Sequence, residues 1–164
     1  MRSAPLSWRF LVLPLAMATG LLTAAACGGG GGTGLEPTTR TIYMKAIEPK
    51  GSAELAKEPF PTEALPDGGG YVLKEPKDGK WEVETYTWAP DQVIVTQGDT
   101  VNLEIIGING ASHDSTIEGY ADSFLVERGK ITQVSFVADK AGVFKIICKT
   151  HQPSMTAELV VLPG

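Results

Sequence analysis

Val134-Ser135-Phe136-Val137-Ala138-Asp139-Lys140-Ala141-Gly142-Val143-Phe144-Lys145-Ile146-Ile147-Cys148 contains two apolar-rich runs separated by Asp139-Lys140-Ala141-Gly142, a cluster of turn-forming residues. Strands are predicted over Lys130–Val137 and Val143–Cys148, with Phe144, Ile146 and Cys148 on one face because successive side chains alternate. The same punctuation extends outward. Upstream, Gln92–Thr96 reads as a short strand, Gln97-Gly98-Asp99 as a turn, and Val101, Leu103 and Ile105 alternate with Asn102 and Glu104. Further strands are expected over Thr41–Glu48, Trp81–Trp88, His113–Glu118 and Ala157–Leu162. In Trp81–Trp88, Trp81, Val83 and Thr85 alternate with Glu82, Glu84 and Tyr86. Short strands with turn signals every 8–12 residues predict an all-β sandwich. Pro49–Gly70 reads as a long loop with one helical turn over Ala53–Lys57.

The chain has 164 residues, 43% hydrophobic and 20% charged, which suffices for one packed domain and a short appendage. A net charge of −5 disfavours nucleic acid as a partner. Residues 1–26 read as a leader: Arg2 and Arg9 precede an apolar run over Phe10–Leu22 too short and broken for a membrane span. Leu22-Thr23-Ala24-Ala25-Ala26-Cys27 resembles a bacterial lipoprotein signal in which Cys27 is lipidated; a plain secretory signal is the alternative. Either way the mature protein is expected outside the cytoplasm, in the periplasm or at the cell surface, and a lipid on Cys27 would attach it to a membrane. Gly28–Gly32 would act as a flexible tether of about 15 Å. Loss of the leader leaves 12 basic and 19 acidic residues. The expected organisation is a leader at 1–26, a lipidated cysteine and tether at 27–40, an N-terminal extension with a strand or hairpin and a long loop at 41–80, and the sandwich at 81–164.

The chemistry-bearing residues are concentrated. The chain's two histidines are His113 and His151, and Cys148, His151 and Met155 lie in the pattern C-x2-H-x3-M. Two imidazoles, one thiolate and a weak thioether form the ligand set of a mononuclear copper site, because sulfur ligands stabilise Cu(I) while imidazole suits both oxidation states. A turn after Cys148 would bring His151 and Met155 around one point, with His113 arriving from another segment. Zinc could use the same residues, although Met is a poor zinc ligand. Taken singly, Cys148 would be an inert buried thiol, His113 a loop residue and Met155 core filler.

Trp88–Leu162 resembles the cupredoxins. The likeness rests on Pro90–Val101, Ser112-His113, Val134–Phe144 and Cys148–Met155. Within that family it is most similar to the branch of nitrosocyanins and the binuclear copper domains of nitrous oxide reductase and cytochrome oxidase subunit II. The resemblance implies a cupredoxin-type Greek-key β-sandwich holding one copper ion. Gln152 stands where a binuclear centre has its second cysteine, which argues against a second metal. Nitrosocyanin has a carboxylate where His113 falls, so here His113 and Met155 restore the His2Cys-Met set. The resemblance further implies an Asp114 N–H donated to the sulfur, the Ala111 carbonyl near the opposite axial side, and His151 as the electron exit beside a docking patch.

The implied function is that of an electron carrier between membrane-associated redox partners, with no catalytic residues assigned. Copper delivery or tolerance, nitrosocyanin-like chemistry on a small nitrogen oxide, and a metal-free adhesive sandwich are the competing readings. Nitrosocyanin-like proteins assemble through an N-terminal hairpin, so a homo-oligomer is a further implication.

Overall fold

The computed structural model describes residues 35–164. The leader, Cys27 and the glycine tether lie outside the described residues. Within them the chain forms twelve strands and no helix. They are β1 (Thr39–Ile47), β2 (Lys50–Glu54), β3 (Tyr71–Lys77), β4 (Lys80–Thr85), β5 (Thr87–Ala89), β6 (Gln92–Thr96), β7 (Thr100–Gly107), β8 (Ser112–Ile117), β9 (Ala121–Glu127), β10 (Ile131–Val137), β11 (Gly142–Cys148) and β12 (Thr156–Leu162).

Two sheets make the sandwich, one in the order β10-β7-β1-β5 and the other β6-β12-β11-β8-β9. The chain crosses between them at β5–β6, β6–β7, β7–β8, β9–β10 and β10–β11, the connectivity of a Greek key. Val101, Leu103 and Ile105 of β7 are buried, as are Val93 and Val95 of β6, Ile146 and Cys148 of β11, and Ala157, Leu159 and Val161 of β12. Alternation in the sequence thus becomes the inner faces of two apposed sheets.

Three expectations are corrected. The segment assigned to an N-terminal extension supplies β1, an inner strand that pairs parallel with β7 and buries Met44 and Ala46. The predicted long loop begins later, because Lys50–Glu54 pairs with β4 in a separate three-stranded sheet, β2-β4-β3; its helical turn falls just after β2, where Glu58 N–H donates to Glu54 O. Strands β3 and β9 were not anticipated. Both pair in register with a neighbour, β3 with β4 and β9 with β8, each interrupted by one register shift.

A buried carboxylate pins β1 to the sandwich. Asp99 accepts the Thr38 and Thr96 N–H groups at 2.7 Å each and the Arg40 Nε at 2.5 Å. Burial raises its carboxyl's pKa, but these donors outweigh burial and hold it below its ordinary value. On the small sheet, Glu84 faces Lys50 and Lys74, which bring its carboxyl down to about 2.

Candidate metal centre

His113 is the second residue of β8, which lies between β11 and the edge strand β9, and its side chain is buried inside the sandwich. Cys148 ends β11, the strand paired to β8, so the two side chains meet across adjacent strands. Immediately after Cys148 the chain turns back. Met155 N–H donates to His151 O and Cys148 N–H to Met155 O, each at 3.0 Å. The Gln152 amide braces the turn from inside, donating to Cys148 O at 2.7 Å. This turn carries His151 against the other two residues.

The donor atoms converge. His113 Nδ1 lies 3.1 Å from His151 Nδ1 and 3.8 Å from Cys148 Sγ, and His151 Nδ1 lies 3.4 Å from the same sulfur. A point equidistant from the three is about 2.0 Å from each, close to the metal–nitrogen and metal–sulfur bonds of about 2.0–2.1 and 2.3 Å seen for zinc. The triangle therefore matches one first-row transition-metal ion. Its chemistry agrees. His113 Nε2 is 2.8 Å from the Asn109 carbonyl, which can only accept, so Nε2 carries the proton and Nδ1 presents its lone pair to the centre. Two imidazole Nδ1 atoms at 3.1 Å need a shared proton or a cation between them. Burial lowers the pKa of both rings, and each is poised as a neutral ligand.

His113 and Cys148 are fully buried, and His151 is half-buried. Met155 is fully buried beneath the turn. The Asp114 carbonyl accepts the Lys149 N–H at 2.8 Å, and its carboxylate, at the surface, faces Ser123 and Lys149. The Ala111 carbonyl accepts the Arg128 N–H at 3.2 Å.

Several contributors escaped the sequence. Tyr86 stacks on His151 with ring centroids 3.8 Å apart and planes 21° from parallel. Trp88, buried in the core, tilts toward His113 at 6.2 Å. Asn109 contributes a backbone carbonyl, for which residue type gives no signal. Tyr86 and Trp88 do share strand parity, a signal present in the sequence but masked by Glu82 and Glu84 at the same parity.

No protein-family model and no curated relative matches the chain. Among solved structures it is similar to a copper nitrite reductase from Nitrosomonas europaea, with a TM-score of 0.51 and 19% identity over 76% of this chain. It is also similar to the multicopper oxidase mgLAC (TM-score 0.49, 15% identity, 76% of this chain) and to a heme-copper terminal oxidase (TM-score 0.38, 16% identity, 43% of this chain). The chain spans 42% of the nitrite reductase, 39% of the multicopper oxidase and 50% of the terminal oxidase chain. At 19% identity the likeness to the nitrite reductase is one of fold, and with the strand order above it makes this chain a cupredoxin-type β-sandwich.

Proposed function

We propose that the protein binds a single copper ion through His113, Cys148 and His151, with Met155 as a weak fourth ligand, and carries single electrons rather than catalysing a reaction. The observation that carries this reading is the triangle of one sulfur and two Nδ1 atoms, assembled from two adjacent strands and the turn after one of them. One thiolate with two imidazoles favours copper over zinc, and a copper protein is among those sharing the fold. Bound there, copper supplies a one-electron Cu(I)/Cu(II) couple. The chain's own contribution is rigidity. Asn109 fixes the tautomer and orientation of His113, the β8–β11 pairing fixes Cys148, and Gln152 braces the turn bearing His151. Fixed donors reduce the rearrangement that accompanies each electron.

The same proposal includes outer contacts from Asp114 and Ala111, a redox partner docking near His151, and membrane attachment through lipid on Cys27 outside the cytoplasm. The half-buried ring of His151 is the metal ligand nearest solvent, which supports electron exit there. The decisive experiment is an absorption and electron paramagnetic resonance spectrum of the Cu(II) form compared with Cys148→Ser. An intense visible thiolate-to-copper band is expected in the parent protein, lost in the variant and bleached reversibly on reduction. A copper-loaded parent without that band refutes the proposal.

A further inference from the structure

His151 is the one of the three donor residues that retains solvent exposure. A small molecule reaching the ion from outside must pass it or displace it. Tyr86 stands against the face of that ring, at 3.8 Å, and also meets His113 edge-on at 6.0 Å. Its position is set by the backbone. Tyr86 occupies the one-residue break between β4 and β5. Its N–H donates to Gly70 O at 2.9 Å. Its carbonyl lies 2.8 Å from Ser154 Oγ, which is itself 2.7 Å from Gly70 O.

The partner segment is equally tied to the metal-binding turn. Gly70 N–H donates to Gln152 O at 3.0 Å and Gln152 N–H to Gly68 O at 2.8 Å. The approach is so close that a Cβ on Gly70 would overlap the His151 and Gln152 carbonyls, each 2.8 Å away. Tyr86, Gly68–Gly70 and the His151 turn are thus splinted into one unit.

Resting on the copper reading above, we propose that Tyr86 is a positioning residue that locks the ring of His151 in place and closes the metal to small exogenous anions. The stacked face matters for this role, and the hydroxyl does not.

Azide is the probe, titrated into the copper-loaded full chain and followed by absorption and electron paramagnetic resonance. The parent protein and Tyr86→Phe are expected to keep their Cu(II) spectra unchanged. Tyr86→Ala and Tyr86→Leu are expected to gain an azide-dependent spectrum, with an apparent affinity at least about tenfold above that of the parent. Rescue by Phe, alongside failure of Leu, separates stacking from simple loss of volume. A parent protein that takes azide at the same concentration as Tyr86→Ala overturns the inference, and needs no variant other than that one. So does a Tyr86→Leu protein whose metal ignores azide as the parent's does. In either of those outcomes the thiolate-to-copper band persists in the parent and the copper reading stands. Absence of that band before any azide is added removes both.

Discussion

Replacing Gly110 by Ala separates the metal site's demands from those of the fold. Gly110 has φ of 72°, in the left-handed region, where an L-residue pays about 1–2 kcal/mol. Its added Cβ would also stand 2.7 Å from His113 Cε1, 2.9 Å from His113 Nε2 and 3.2 Å from Tyr86 Cε1. Those separations fall well inside ordinary carbon contact of about 3.5–4.0 Å. His113 is fully buried and bordered by Trp88, so its ring has no free space for retreat. By geometry the contact that gives way is the one from Nε2 to Asn109, because Gly110 and Asn109 are neighbours in one loop. Outer hydrogen bonds of this kind are worth about 10–100-fold in metal affinity, or about 1.4–2.8 kcal/mol. Gly129 supplies the control. It has nearly the same φ, 76°, and a Cβ there meets nothing within 4 Å. Urea unfolding of the metal-free proteins should show at least the same 1–2 kcal/mol strain penalty in both variants. Competition with a chromophoric chelator should show weakened copper binding in Gly110→Ala and parental binding in Gly129→Ala. Equal copper affinity in the two variants would refute the placement of His113 as a ligand held through Asn109.

Met155→Leu keeps the buried volume but removes the thioether, so folding should survive while the Cu(II) spectrum and reduction potential shift; an unchanged spectrum would leave Met155 as core packing alone. The chain's two histidines make ring titration by NMR unambiguous. Both metal-free rings should remain neutral as pH falls through 6.5, since burial depresses each. An unfolded chain takes up those protons first, so stability from the histidines is present above 6.5 and lost as pH falls below it. Asp99 and Glu84 act the same way further into acid, because both carboxyls are depressed in the folded protein. Stability present above about pH 4.5 should decline as pH falls toward 2. Asp99→Asn, less stable at pH 7, should lose less over that span in urea titrations, and an equal loss would mean Asp99 contributes nothing to the acid response.

Strands with both strong alternation and clear punctuation were legible in the sequence. Gln92–Thr96 was located residue for residue, and β7, β8, β10, β11 and β12 were located within one or two residues of their ends. Their apolar positions face a single core, so the local pattern and the tertiary environment agree. The missed strands lack that agreement. Lys50–Glu54 contains Lys, Ala and Glu, residues with little preference for strands, and is ordered by pairing with β4. β9 buries only Val126 fully, so its alternation is faint. The soft ligands were legible because the chain has only two histidines and, after Cys27, a single cysteine, which leave few ways to build such a site.

The surroundings of that site required information no local pattern holds. Over Trp81–Trp88, alternation invites burial of Trp81, Val83 and Thr85 and exposure of Glu82, Glu84 and Tyr86. In the folded chain Glu84 is buried, and Tyr86 and Trp88 of the same parity meet the two histidines. Two lysines from β2 and β3 make that reversal tolerable by neutralising Glu84. The small sheet therefore does more than extend the sandwich. By satisfying a buried carboxylate, it allows the β4–β5 segment to turn its aromatic side toward the metal-binding turn, and the backbone of Gly68–Gly70 then fastens that turn from outside. None of the residues from 49 to 86 is a proposed ligand, yet they determine how His151 is held. The donor set specifies which ion can bind, and this non-local scaffold specifies how firmly the exposed ligand must stay beside it.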